Sequence, residues 1–324
     1  MFKSKTKYTW EGWDSSGRED WVFNVKHPCE LIGVHAKLID NQLREGEKIE
    51  YCIYAPRISS TSTPFGFKSE ESSCGVCMTD NRFIVTKNRH IKDIAPSLTS
   101  IDFKDIVYFN IGSALLLSWV SIAYVQDGKL QQMPILFGSN GRHHFEKALR
   151  AYKKYCLGLN TEEFNFDTFS ASGFIHKISD NIHRSHLKTL ISQNERCILT
   201  FSCQYLWHKV TENRSLFRKS RESYVASKAT VLFTSKALLI ARDGLGTSVG
   251  NCANALNIPL DKVSSLFFLE EKENDNAIHK LRINFIKEKD PLDISLMSLD
   301  EKAEIFLNNI QSLLGDTKQK EEQR

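Results

Sequence analysis

Cys74 and Cys77 stand in the Cys-x-x-Cys spacing that holds zinc or runs thiol–disulfide exchange when a second pair, or a pair of histidines, completes it. No second Cys-x-x-Cys and no nearby His-x-x-x-His follows, and Met78 onward continues as an apolar strand, so the pair reads as strand rather than as a metal or redox centre. His176, His183 and His186 lie seven and ten residues apart, near two and three helical turns, which would put them on one helix face. Zinc would need a further ligand, and only Asp180 is near register, so exposed helix histidines are expected. His143 and His144, beside Arg142, read as surface residues at a helix start. Gly244 to Gly250 carries three glycines without the lysine or strand-to-helix setting of a phosphate cradle, and reads as a hairpin tip. No Walker or Gly-x-Gly-x-x-Gly motif occurs; Gly246-Thr247-Ser248-Val249-Gly250 spells Gly-x-Ser-x-Gly, but within the segment read as a hairpin tip and not at a strand-to-helix elbow. The expectation is a protein that is no enzyme and uses no cofactor and no metal.

The elements that carry these residues belong to a chain of 324 residues, 41% apolar, long enough for about two domains. Its 43 basic and 39 acidic side chains leave a formal charge of +4, too balanced for a nucleic-acid binder, so any anion site must be local. Eight scattered cysteines, most of them in apolar runs, fit a reducing compartment. The basic N-terminus runs into Trp10, Glu11 and Asp14 instead of an apolar core, unlike a secretory signal, and the apolar stretch from Ile111 to Val125 is shorter than the roughly 20 residues of a spanning helix. A cytoplasmic protein is expected. Trp10, Trp13 and Trp21 sit in a polar arm over residues 1–27, expected to pack onto a domain; the sharper alternative is an aromatic-and-lysine anchor for a partner or a membrane interface.

Four landmarks then occur twice in one order. Glu47-Lys48-Ile49 is matched by Glu195-Arg196-Cys197-Ile198, and Thr79 to Val85 by Thr234 to Ile240; Ile101-Asp102-Phe103-Lys104-Asp105-Ile106 is matched by Ile258-Pro259-Leu260-Asp261-Lys262-Val263. The last is a helix, with Phe145, Leu149 and Tyr152 against Phe306, Ile310 and Leu313 on one stripe. Between landmarks alternation dominates, as in Leu281, Ile283 and Phe285 and in Leu292, Ile294 and Leu296, and Asp127-Gly128 marks a tight hairpin. Helical spacing over Pro28 to Arg44 and over Ile175 to Ile191 predicts a short helix ahead of each sheet. The predicted layout is an arm (1–27), a first domain (28–157), a linker (158–174) whose phenylalanines dock, a second domain (175–315) and a solvated tail (316–324).

These residues carry a resemblance. Gly46-Glu47-Lys48-Ile49, Thr79-Asp80-Asn81-Arg82-Phe83-Ile84-Val85 and the Ile101 and Ile258 segments resemble the strand signatures of bacterial pleckstrin-homology-like (PH-like) and GRAM-like domains, over most of residues 45–157 and 190–315. The second copy departs from the pattern at Asn194, Ser235, Lys236 and Ala237. The resemblance implies a mainly β (α+β) protein of two antiparallel β-barrel or sandwich domains, each closed by a C-terminal amphipathic helix, and it implies no catalysis. In lipid-binding members, bases after the first strand hold the headgroup. Lys209, Arg214, Arg218, Lys219 and Arg221 fall in that loop of the second copy, whereas the first copy has Glu70 and Glu71 there. The leading expectation is a non-enzymatic tandem adaptor for a protein partner. The alternative is a peripheral module at the inner membrane face, binding anionic lipid through the basic loop with help from the tryptophans. No nucleic-acid partner is expected.

Overall fold

The computed structural model describes residues 21–58, 72–89, 94–114, 116–158, 169–170, 175–176, 178–192, 195–212, 221–243, 252–273 and 276–296. The closing helix expected around Phe306, Ile310 and Leu313 lies outside the described residues, as do Trp10, Trp13, Arg214, Arg218, Lys219, Glu70, Glu71 and the Gly244–Gly250 segment.

The described chain is mainly antiparallel sheet, as expected. A first sheet runs in the order β1 (Phe23–Val25), β2 (Ile49–Ala55), β3 (Ser73–Thr79), β4 (Arg82–Asn88) and β5 (Ser97–Asp102). Helix α1 (Val34–Asp40) lies over it; Gly33, at φ 61°, separates the helix from a 3-10 turn at Pro28–Glu30, so the lead-in helix is shorter than its periodicity predicts. Every residue of β3 is buried because both faces of the sheet are covered. Cys52, Tyr54, Cys77 and Ile84 pack with Ile39 and Leu31 under α1, while Ile53, Val76, Met78, Phe83 and Val85 face the main core. Three strands follow, β6 (Ile106–Ala114), β7 (Leu117–Gln126) and β8 (Lys129–Gly138), with Asp127 at φ 53° and Gly128 at φ 71° making the predicted turn, and then helix α2 (Arg142–Tyr152).

The same order recurs. Strand β9 (Phe169–Ser170) pairs with β10 (Arg196–Glu212) as β1 pairs with β2, helix α3 (Asn181–Leu190) precedes the sheet, and β11 (Arg221–Thr234), β12 (Ala237–Asp243) and β13 (Cys252–Pro259) complete four long strands. Strands β14 (Val263–Glu273), β15 (Asn276–Phe285) and β16 (Leu292–Leu296) form the final three-stranded sheet. Strand β9 falls within the predicted linker and pairs through its backbone with Arg196 and Cys197; Phe164 and Phe166 lie outside the described residues.

Two features differ from expectation. Among the described residues no sheet closes into a barrel, and the two copies are not separate sheets: β6 of the first pairs antiparallel with β13 of the second, from Phe109 opposite Asn257 to Ala114 opposite Cys252, giving one eight-stranded sheet. Local patterning cannot report such a pairing, because each strand alternates in the same way whichever strand lies beside it. Side chains cross the same boundary. Ile175, Ile178, Leu187, Leu190 and Leu239 of the second copy join the core of α2, Phe109 and Phe137, and Val107, Tyr108 and Ala123 of the first join Phe233, Ile240 and Phe285.

Candidate functional site

The residues that open each copy's sheet are buried carboxylates. Glu47, just before β2, accepts hydrogen bonds from Thr79 Oγ1 at 2.7 Å, from Arg82 Nε at 2.8 Å and from Arg82 Nη2 at 2.7 Å, while the Arg44 N–H donates to its other oxygen at 3.0 Å. Arg82 also reaches Ser100 and the Gln42 carbonyl, and the pair is almost wholly sealed from solvent. Held by Arg82, with burial opposing, the Glu47 carboxyl lies far below its ordinary value, at about 2.

Glu195 occupies the matching place before β10. The Ser192 N–H donates to it at 2.9 Å as Arg44 does to Glu47, and the Thr234 hydroxyl binds it as Thr79 binds Glu47. Backbone N–H groups of Lys236 and Ala237 donate to Thr234 Oγ1 as those of Asn81 and Arg82 donate to Thr79. The cation differs in origin. Ala237 stands where Arg82 would be, and the charge is supplied by Lys153, just after α2 of the first copy, whose Nζ lies 2.8 and 2.9 Å from the two Glu195 oxygens. Burial, the largest influence, would raise the Glu195 carboxyl, but the Lys153 ammonium together with the Ser192 and Thr234 hydrogen bonds brings it below its ordinary value. A knot that is internal in the first copy thus bridges the two copies in the second.

The histidines follow the same logic. His183 of α3 is buried, with Nδ1 3.0 Å from Thr230 Oγ1 and Nε2 3.1 Å from Asp243 Oδ1. Alone, an acid, an imidazole and a hydroxyl in line invite comparison with a catalytic triad. His35 of α1 answers it: also buried, it contacts Thr86 Oγ1 at 2.8 Å and Ser73 Oγ at 2.9 Å. Each copy uses one histidine to tie its leading helix to its sheet. Gly75, whose added Cβ would sit 2.9 Å from His35 Cβ, makes room for the first; Thr230, at the matching strand position, bonds the second. His186 is half-buried with Arg142 Nη2 at 2.8 Å, and burial plus that guanidinium lower its pKa to about 3; His144 is lowered to about 4, chiefly by burial. The expectation of exposed helix histidines therefore fails for His183 and His186, because α3 packs against α2 and the sheet instead of facing water; His176 is exposed and lies outside that helix.

Cys74 and Cys77 of β3 point to opposite faces, as residues three apart in a strand must, so they cannot share an ion. Cys77 instead lies opposite Cys52, and its hydrogen bond together with burial keeps the Cys52 thiol well above its ordinary value. Among the described residues no cluster of His, Cys, Asp or Glu could hold a metal ion. Of the predicted basic loop, Lys209 and Arg221 lie within the longer-than-expected strands β10 and β11, where Lys209 pairs with Tyr224 and Arg221 with Glu212 in the backbone ladder. Trp21 is partly exposed, while Val22 beside it packs on Gly141 at the start of α2.

What the structure assembles, and the sequence did not single out, is a cleft of about 650 Å³ where the copies meet. Lys147, Arg150, Lys153 and Lys154 line it from the first copy and Lys236 from the second, with Tyr51 and Ser192; among the described residues Glu195 is the one lining carboxylate. Lys236 Nζ reaches the Lys153 carbonyl at 2.7 Å and Arg150 Nη1 the Thr189 carbonyl at 2.6 Å, so these cations also tie the walls together. Compared with protein-family models and with curated proteins, the chain matches none at a significant level. No described helix is long and apolar enough to cross a membrane.

Proposed function

We propose that the chain is a non-enzymatic adaptor in which two PH-like units act as one body and present strand edges to a protein partner. Each copy's order supports the PH-like reading: after a short leading strand come four strands and then three, with a helix after β8 of the first copy. The observation that supports the adaptor reading is the β6–β13 ladder, in which a strand of the first half pairs edge to edge with a strand of the second. Among the described residues strand β5 ends its sheet, paired with β4 alone, and Ser97 and Ser100 on it are exposed. The buried histidines and carboxylates support a non-catalytic reading, because each repeats as a structural tie in the other copy.

Site-specific photo-crosslinking tests this. A crosslinking side chain at Ser100, in the native cell, gives one discrete protein adduct that disappears when Leu98 is changed to proline and is not formed from Lys129 at the β7–β8 turn. No adduct, or equal adducts from both positions, contradicts the proposal.

A further inference from the structure

We infer that the cleft between the copies is a binding site for a small organic anion carrying two or more phosphate groups. Its one lining carboxylate is already spent: Glu195 is neutralised by Lys153 and further bonded by Ser192 N–H and the Thr234 hydroxyl. Lys154 leans on Glu50 at 2.9 Å. Among the described residues no carboxylate pairs with Lys147, Arg150 or Lys236; the latter two give one hydrogen each to neutral carbonyls and keep the rest. The cleft is therefore lined by positive charge that the described residues leave uncompensated.

A helix C-terminus draws cations by its own dipole, which accounts for Arg150 and the lysines after α2. It does not account for Lys147, a turn earlier, or for Lys236, which arrives from the β11–β12 turn of the other copy. Lys147, Arg150 and Lys154 recur at i, i+3 and i+7, on one face of the helix and the turn that continues it, so they form a preset row. Lys236 stands across from that row, and Ser192 and Tyr51 add hydroxyls. Phosphate oxygens accept charge-assisted bonds from such ammonium and guanidinium groups, at spacings a rigid wall fixes in advance. At about 650 Å³ the cleft has the volume of small-molecule sites, with room for a phosphorylated scaffold rather than one phosphate alone. Since both copies line it, a bound anion would tighten their junction. None of the lining residues belongs to the basic stretch from Lys209 to Arg221.

Titration calorimetry of the full chain with inorganic pyrophosphate tests the assignment. The expected result is saturable binding of one pyrophosphate per chain, weakened at least ten-fold in the Lys147→Gln, Lys236→Gln double variant and measurably in Lys147→Gln alone, whose side chain is exposed. Sedimentation with neutral vesicles, with and without a polyphosphorylated phosphoinositide, separates the two sources of such a group. Recruitment that pyrophosphate competes and the double variant loses assigns a lipid headgroup; pyrophosphate binding without recruitment assigns a soluble ligand. No saturable binding at low salt, or binding and recruitment unchanged in both variants, overturns the inference.

Discussion

Arg82 and Lys153 do one job from different places in the chain. Each neutralises a carboxylate that opens a sheet, and each is buried with it, so removing the cation strands a charge away from water. Lys153→Met is expected to lower stability by about 3–5 kcal/mol, and adding Glu195→Leu to restore most of it, because exchanging a whole buried pair for apolar groups is far milder than breaking it; denaturant unfolding of the three proteins reads both effects. Protonation acts on the same ties. His186 and His144 are held neutral in the fold, at about 3 and 4, so below their ordinary value near 6.5 the unfolded chain takes up protons the folded one refuses. Glu47, at about 2 when folded against 4.5, contributes stability that is complete above 4.5 and lost as the pH falls towards 2. Denaturation midpoints should hence fall steadily from pH 6.5 downward, with the Glu47 share confined to the lower part; a flat profile between 6.5 and 3 would contradict these environments. At this scale the sequence was half legible. Glu47 and Glu195 stand out as landmarks, but Lys153 does not, because its partner lies 42 residues away in another element, and His35 drew no notice among ordinary helix residues.

Elements are where close approach decides the outcome. In β6 a Cβ on Gly112 would lie 2.1 Å from the Trp119 ring of β7, and in β3 one on Gly75 would lie 2.7 Å from Thr86 Oγ1 as well as against His35. Both glycines are strand residues with no unusual backbone, so their role is space. Gly75→Ala should push α1 off its sheet and Gly112→Ala should disturb the strand that joins the copies; each is expected to cost about 1–3 kcal/mol, the usual range for overpacking, measurable by thermal or urea unfolding. The strands themselves were readable, since Leu281, Ile283 and Phe285 alternate into the core as their spacing says, and Asp127-Gly128 turns as its chemistry requires. Strand length was not: β10 extends to Glu212 and β11 begins at Arg221, both within the stretch read as a basic loop, because its mixed polar and apolar residues carry no clean alternation to mark where a strand ends. The cleft was hidden for a similar reason. Lys147, Arg150 and Lys154 look like the solvated side of an amphipathic helix, and Lys236 registered only as a departure from the first copy's pattern.

Over the described molecule, the two halves repeat an order of elements but differ in their ties. The first copy contains its own ion-pair knot and covers its sheet with α1; the second borrows its cation from the first, shares a ladder with it and packs α3 against α2. The two cores run into each other at Leu187, Leu190 and Leu239 on one side and at Tyr108 and Phe285 on the other. The described chain therefore behaves as one body with a cleft at its seam, and the proposed adaptor and anion-binding roles both depend on that unity. Differential scanning calorimetry measures it directly. A single transition is predicted, with calorimetric and van't Hoff enthalpies in agreement, and Lys153→Met should shift it downward as a unit. Two resolved transitions, of which the variant moves only one, would contradict the fusion of the copies.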